Sequence, residues 1–265
     1  MIPHFLFPAS PFNSRMIEPE FQDQAIAFKA AGFGTSCFSI EENRITGAIP
    51  DGVTIVYRGW MMDEIEYAHF YGWLEAHGLK PLTHPGEYVL THHIPNWYPY
   101  VAGITPETFC FPTQGEMASK IVQYCNENGW TKYQLKDFVK SLKTGVGSVV
   151  TQPDEVQTIL DEMVKYRGTL EGGICVRRWE DFMPNSEKRY FVLNKRFYGQ
   201  DELFDTRAME RLIRVARDIP SPFYSVDIAE TTTGRFMVVE IGDGQVSDIV
   251  GWTPGRFAQI WQNVL

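Results

Sequence analysis

The stretch Ser225–Ile249, SVDIAETTTGRFMVVEIGDGQVSDI, reads as two apolar strands joined by a polar turn, with acids at Asp227, Glu240 and Asp243. If FYSVDIA and RFMVVEI pair across ETTTG, the period-two alternation of strands lets Asp227 and Glu240 face one side near the same level. Such a pair suits magnesium, a hard cation that takes oxygen ligands and commonly uses one or two carboxylates together with nucleotide phosphates. Glu240 follows FMVV in an expected buried strand, where an isolated charge needs a partner or an ion. Asp243, in a glycine turn, is expected nearer to solvent.

Upstream of the hairpin lies a set of cations. KYQLKDFVK alternates like a strand and is followed by SLKTGVGSVV, so Lys136 sits on a strand, Lys140 and Lys143 follow it, and Gly145 and Gly147 open a turn. Phosphoryl transfer needs charge neutralisation on phosphate oxygens, and glycines let backbone N–H groups come close to them. Next come the helical PDEVQTILDEMVKYRG, the strands GGICVRRW and KRYFVLNKRFYG, and the helical DTRAMERLIRVARDI. Arg177 and Lys188, on those strands, read as surface ion-pair residues. The order is strand, glycine loop, helix, strand, strand, helix, strand, strand.

The N-terminal third alternates strands and helices like an α/β layer. HFLF, TSCFSI and VTIVYRG read as strands. The stretch 18–31 and DEIEYAHFYGWLEAHG read as helices ending at Gly32 and Gly78. Arg58 closes the strand VTIVYRG, a place where ligands of open α/β sheets gather. From Pro81 to Pro112 prolines and aromatics replace the pattern, read as a long ordered connection. A second unit begins with the helix GEMASKIVQYCNENG.

That order, with these residues on it, resembles the ATP-grasp superfamily, and within it the clade named for one arginine and two lysines. The resemblance spans about residues 115–250 and extends loosely to the N-terminal layer, where VYRGWM is similar to the clade's arginine motif. It implies an α/β (α+β) chain with an ATP-grasp fold: a pre-ATP-grasp domain over 1–112 and a nucleotide-binding domain over 113–265. The implied activity is ATP- and magnesium-dependent ligation, in which a carboxylate is activated as an acyl phosphate and attacked by an amine. Residue by residue, the resemblance implies Lys136 and Lys140 on phosphate, and an adenine-reading hinge within 178–181 that includes Arg178, Trp179 and Glu180. It implies Glu187 near the ribose and Arg189 on phosphate or acyl phosphate, where its planar fork suits two oxygens. Arg58 would contact phosphate or substrate, and Asp227, Glu240 and Asp243 would hold magnesium. Many members continue with glutamate, any residue and asparagine; here the asparagine position is Gly242. Two other readings use the same nucleotide site: a noncatalytic nucleotide-binding or interaction module in a phage or bacterial conflict setting, and an ATP-dependent phosphotransferase.

Composition limits the partners. The chain has 265 residues, is 44% hydrophobic and carries a formal charge of −9. It therefore has enough apolar content for a substantial core and little general attraction for nucleic acid or anionic membranes. A small-molecule, peptide or protein substrate is expected, with specificity in variable surfaces such as 81–114. No run of eighteen apolar residues and no cationic leader are seen, which points to the cytoplasm. Cys37, Cys110, Cys125 and Cys175 form no C-x-x-C pair and read as buried thiols, while THHIPNWYPY reads as a structured aromatic loop rather than a zinc site.

Overall fold

The structure, a computed structural model, describes residues 2–112, 116–139, 147–167, 172–200 and 209–262. In chain order it has β1 (His4–Ser10), β2 (Asn13–Ile17), α1 (Pro19–Ala30), β3 (Gly34–Ser39), β4 (Arg44–Thr46), β5 (Thr54–Tyr57), α2 (Glu64–Ala76) and β6 (Lys80–Pro81). There follow α3 (Pro85–His92), α4 (Ile94–Val101), β7 (Thr108–Pro112), α5 (Met117–Glu127), β8 (Tyr133–Asp137), β9 (Val149–Val150), α6 (Glu155–Arg167) and β10 (Gly173–Arg178). The last elements are β11 (Lys188–Leu193), β12 (Arg196–Tyr198), α7 (Glu210–Ala216), β13 (Phe223–Glu230), β14 (Phe236–Asp243) and α8 (Pro254–Gln262). No described helix is long and apolar enough to cross a membrane.

Contacts gather the chain into two compact units. One holds Met1–Thr91, Lys188–Asp227 and Glu240–Leu265, and the other His92–Glu187 and Ile228–Val239. This differs from the single break expected at 112/113. The physical reason is the aromatic core of the first unit, where Phe191, Leu193 and Phe223 join Phe5, Phe7 and Phe28, drawing late strands back to the N-terminal sheet.

In the first unit, one sheet runs β4-β3-β1-β5-β6, and β2 pairs with β1. β1 is parallel to β3 and β5, and β5 is parallel to β6. Alternation divides the central strand between two cores: Phe5 and Phe7 pack in one with α1 and α8 residues, and Leu6 packs in the other with Tyr67, Phe70 and Leu74 of α2. Helix α1 starts with Pro19 in its first turn, and α2 starts with a capping box in which Asp63 accepts from Glu66 N and Glu66 from Asp63 N. Strands β12-β11-β13-β14 form a further sheet, whose hairpin tip, Ile228–Val239, belongs to the second unit.

The second unit carries the sheet β7-β10-β8-β9, antiparallel throughout. Ile121 and Cys125 of α5 and Val156, Ile159 and Met163 of α6 cover one face through Leu135, Ile174 and Val176. The ordered connection expected over 81–112 holds α3, α4 and β7, and THHIPNWYPY, expected as a structured loop, lies in α3 and α4. Cys110 and Cys175, expected as thiols, face each other across β7 and β10 and are joined as a disulfide, whereas Cys37 and Cys125 stay free and buried. Two cysteines 65 residues apart give no sequence signal because antiparallel register alone makes them neighbours.

Candidate functional site

The second unit holds the expected nucleotide-binding residues. Tyr133 and Leu135 of β8 enter the helix-covered core, so alternation turns Lys136 to the opposite face, where it lies across from Cys175 and is only 4% exposed. Lys140, Lys143 and Gly145 lie outside the described residues. Gly147 has φ +78°, a backbone conformation that glycine reaches without penalty.

The expected hinge is shaped by its backbone. Arg178 N donates to the Glu107 carbonyl at 2.8 Å, Trp179 N to the Lys132 carbonyl at 3.2 Å, and Thr232 N to the Asp181 carbonyl at 2.8 Å. The side chains engage nearby groups. Arg178 lies 3.8 Å from Glu107 at the surface, Trp179 Nε1 donates to Asp181 at 2.7 Å with the Lys132 ammonium 3.8 Å from its ring, and Glu180 lies 3.5 Å from Arg235. Glu187 is exposed at the end of this unit.

Arg177, expected as a surface ion-pair residue, is instead 3% exposed. Its guanidinium donates to the carbonyls of Val238, at 3.3 Å, and Val239, and to Thr105 Oγ1. Val238 and Val239 immediately precede Glu240, so Arg177 anchors β14 up to the candidate metal ligand. The double arginine of CVRRW is the available signal: successive strand residues face opposite ways, so one of the two must turn inward when one face is buried.

In the first unit the structure brings together Arg189 and Asp227. Arg189 Nε donates to Asp227 Oδ1 at 2.7 Å and Nη2 to Oδ2 at 2.5 Å, a bidentate fork, while Nη1 donates to the Asp248 carbonyl at 2.9 Å. Burial pulls the Arg189 pKa down, but the bonds and charge of Asp227, with Glu240 and Asp248 adding theirs, outweigh it and hold the guanidinium above its ordinary value. Asp227 and Glu240 are each the fifth residue of their strand, β13 and β14. Glu240 is half-buried, less enclosed than the sequence suggests.

This donor set fits magnesium held jointly with phosphates. An ionised carboxylate offers about four lone-pair sites, and Arg189 takes one on each Asp227 oxygen, leaving acceptor capacity on both. Glu240 supplies a second carboxylate. Among the described residues, no three of His, Cys, Asp and Glu converge to hold a metal by themselves, so phosphate and water oxygens have to complete the shell.

Asp243, the expected third metal ligand, is not brought to the other two. It lies three residues beyond Glu240, an odd step that places it on the opposite strand face, and it is 0% exposed. Gln245 donates to Asp243 Oδ1 from its backbone N at 2.9 Å and from Nε2 at 3.2 Å, and Thr91 Oγ1 lies 3.5 Å from Oδ2. Burial pushes its carboxyl up to about 7 against the opposing pull of Gln245, the Arg58 charge and Thr91. The asparagine position holds Gly242 because a Cβ there would meet Ser247 Oγ at 2.9 Å and Ser225 Oγ at 3.1 Å.

Arg58 stands at a strand end as expected, but its side chain turns inward and is 1% exposed. Its guanidinium donates to Gln24 Oε1 at 3.1 and 3.3 Å and to the Gly244 carbonyl, with Cζ 4.7 Å from the Phe257 ring centroid. Burial lowers it to about 10 although Asp248 and Asp243 raise it. Arg58 therefore fixes the turn after β14 and, in this arrangement, offers no surface to a substrate.

The architecture is shared with solved structures of low sequence identity. D-cycloserine synthetase superposes with a TM-score of 0.68 at 12% identity over 100% of both chains. A RimK domain ATP-grasp protein from Sphaerobacter thermophilus gives 0.65 at 17% identity, over 97% of this chain and 98% of that one. D-alanyl-alanine synthetase A from Vibrio cholerae gives 0.62 at 11% identity, over 99% and 98%. At these identities the likeness is one of fold. No curated protein sequence matches significantly. The family match is direct: residues 107–264, more than half of the chain, match the ATP-grasp domain of family 3 in the clade named for one arginine and two lysines, and the chain belongs to that family.

Proposed function

We propose that the protein is an ATP-dependent carboxylate–amine ligase working in the cytoplasm, a compartment that supplies ATP. The observation that carries this reading is Arg189 forked onto Asp227, with the Glu240 charge also acting on Arg189, inside the family-matched stretch. In the reaction, a substrate carboxylate oxygen attacks the γ-phosphorus of ATP, forming an acyl phosphate and releasing ADP. An amine nitrogen then attacks the acyl carbon, forming the amide and releasing phosphate and a proton. Lys136, Lys140 and Arg189 balance phosphate charge, residues 178–180 hold the base, and Glu187 approaches the ribose. Magnesium, when bound, neutralises charge on the phosphates, and Asp227 and Glu240 are the residues that would hold it. The structural neighbours include synthetases of small molecules and a macrocyclase bound to its precursor peptide, which supports a small-molecule or peptide substrate.

The test is incubation with ATP, magnesium and pooled carboxylates and amines, with products identified by mass. Amide together with ADP is expected, and Lys136→Met, which keeps the buried stem, should weaken ATP binding at least tenfold in calorimetry. ATP affinity unchanged by Lys136→Met would remove the phosphate role. A second reading, a noncatalytic nucleotide-binding module, is favoured by Arg58, which is buried and bonded to Gln24 and Gly244 instead of facing a substrate. ATP binding without turnover across wide pools would select it.

A further inference from the structure

In the first unit the parallel strands follow the chain as β1, β3, β5, β6 but lie in the sheet as β3-β1-β5-β6, so the direction of winding reverses at β1. Open α/β sheets bind ligands beyond the carboxyl ends of their strands at such a reversal. A cavity of about 570 Å³ lies beside that reversal, lined from the ends of β3 and β5 and one face of α2. That volume falls within the range of small-ligand sites.

Its wall is aromatic: Phe38, Tyr57, Trp60, Phe70 and Trp73 line it. Phe38 stands 5.0 Å from both Phe70 and Trp73, and Tyr57 5.1 Å from Phe70, so these rings make one continuous surface. Trp60 and Met61 form an exposed lip, 52% and 43% accessible, and Trp60 is held by its Nε1 bond to Glu18 Oε2 at 2.6 Å. The polar lining is Glu66, His69 and Asn43; among the described residues, no lysine or arginine lines the cavity.

The charge pattern selects the ligand. A helix N-terminus beside a cavity ordinarily attracts anions. Here Asp63 and Glu66 cap each other's backbone N–H groups and place carboxylates at that end of α2. An adjoining cavity of about 460 Å³ shares Phe38, Ile40 and Trp60 and adds Glu18 and Glu41 against Arg15, with Glu42 paired to Arg44 at 2.7 Å. Aromatic faces rimmed by carboxylates favour a cation over an anion.

We infer that this cavity binds a primary amine carried on an aromatic or branched apolar body. Its place as the attacking nucleophile rests on the ligase reading; its binding does not. The apolar body fills the aromatic wall, and the ammonium faces Glu66.

The experiment titrates the full chain calorimetrically with 2-phenylethylamine, 3-phenylpropionate and ethylamine. 2-Phenylethylamine should bind at least tenfold more tightly than either of the others. Trp60→Ala should weaken it at least tenfold, and Met61→Lys, a change at the exposed lip, should do so through charge even if Trp60→Ala fails to fold. Glu66→Gln keeps an acceptor for Asp63 N and should abolish the preference for the amine over the carboxylate. Equal binding of 3-phenylpropionate or ethylamine to wild type, unchanged affinity in Met61→Lys, or no binding of 2-phenylethylamine at millimolar concentration would overturn the assignment. A parallel ATP–magnesium titration separates the two ideas: loss of amine binding with ATP binding intact removes only the cavity, and absence of ATP binding removes only the ligase.

Discussion

Arg189 and Asp227 meet in a two-bond fork, whereas Arg58 and Asp243, one on the N-terminal sheet and the other at the end of β14, direct their hydrogen bonds to Gln24, Gly244, Gln245 and Thr91. The residue types are the same, and the partners differ. At Asp227 a direct pair keeps Arg189 firmly charged. At Asp243 complete burial outweighs the favourable neighbours, raising the acid to about 7 and lowering Arg58 to about 10. Two acids of one hairpin thus differ in the partners that packing gives them.

The strongest way to break this contrast is to remove Arg58. Arg58→Ala deletes a buried guanidinium and leaves Gln24 Oε1 and the Gly244 carbonyl without their donor, so a loss of about 3–5 kcal/mol is expected in urea denaturation. A loss below about 1 kcal/mol would show Arg58 to be dispensable to the turn and free for substrate.

Next in size is the pH dependence of Asp243. Between the ordinary aspartate range near pH 4 and about 7, the folded chain keeps a proton that the unfolded chain has released. Unfolding therefore releases a proton in that window, and this group makes stability fall as pH rises, by at most about 1.4 kcal/mol per pH unit. Melting at pH 5 and pH 8 should show Asp243→Asn to have lost this component relative to wild type. An equal pH response in both proteins contradicts the raised carboxyl.

Asp227→Asn tests the other member of the comparison. It removes the charge facing Arg189 and should cost about 1–3 kcal/mol of stability, with a loss of at least tenfold in magnesium-dependent ATP binding. A stability loss with ATP binding intact would make the fork purely structural. The smallest effect is expected for the half-buried Glu240: Glu240→Gln should leave metal-free stability within about 0.5 kcal/mol or slightly higher, while magnesium-dependent turnover falls. Metal-free destabilisation with turnover intact would place Glu240 with Asp243 as an architectural acid.

Local patterns make much of the fold legible. Helices α1, α2, α5 and α6 follow from apolar spacing and glycine stops, because those signals act within one or two turns. The short helices α3 and α4 are hidden by prolines and aromatics that interrupt the period, although Pro95 sits in the first turn of α4, where proline is tolerated. The hairpin is readable too, since two apolar strands flank a polar turn. The burial of its acids runs opposite to the local pattern: FMVV before Glu240 suggests enclosure and the glycines around Asp243 suggest exposure, yet Glu240 is half-buried and Asp243 fully buried. Arg177 escapes the sequence for a related reason, as alternation says which residues share a face but not which face is covered.

The sequence by itself determined the longer helices, the apolar strands of the hairpin that carries Asp227 and Glu240, and the resemblance to ATP-grasp proteins, all carried by local patterns along the chain. Only the tertiary structure decided that Asp227 binds Arg189, that Cys110 meets Cys175, and that Asp243 lies among Gln245, Thr91 and the charge of Arg58. Thr91 and Arg58 reach Asp243 from more than 150 positions away, and the solvation of a charge depends on every atom packed around it, however distant its place in the chain.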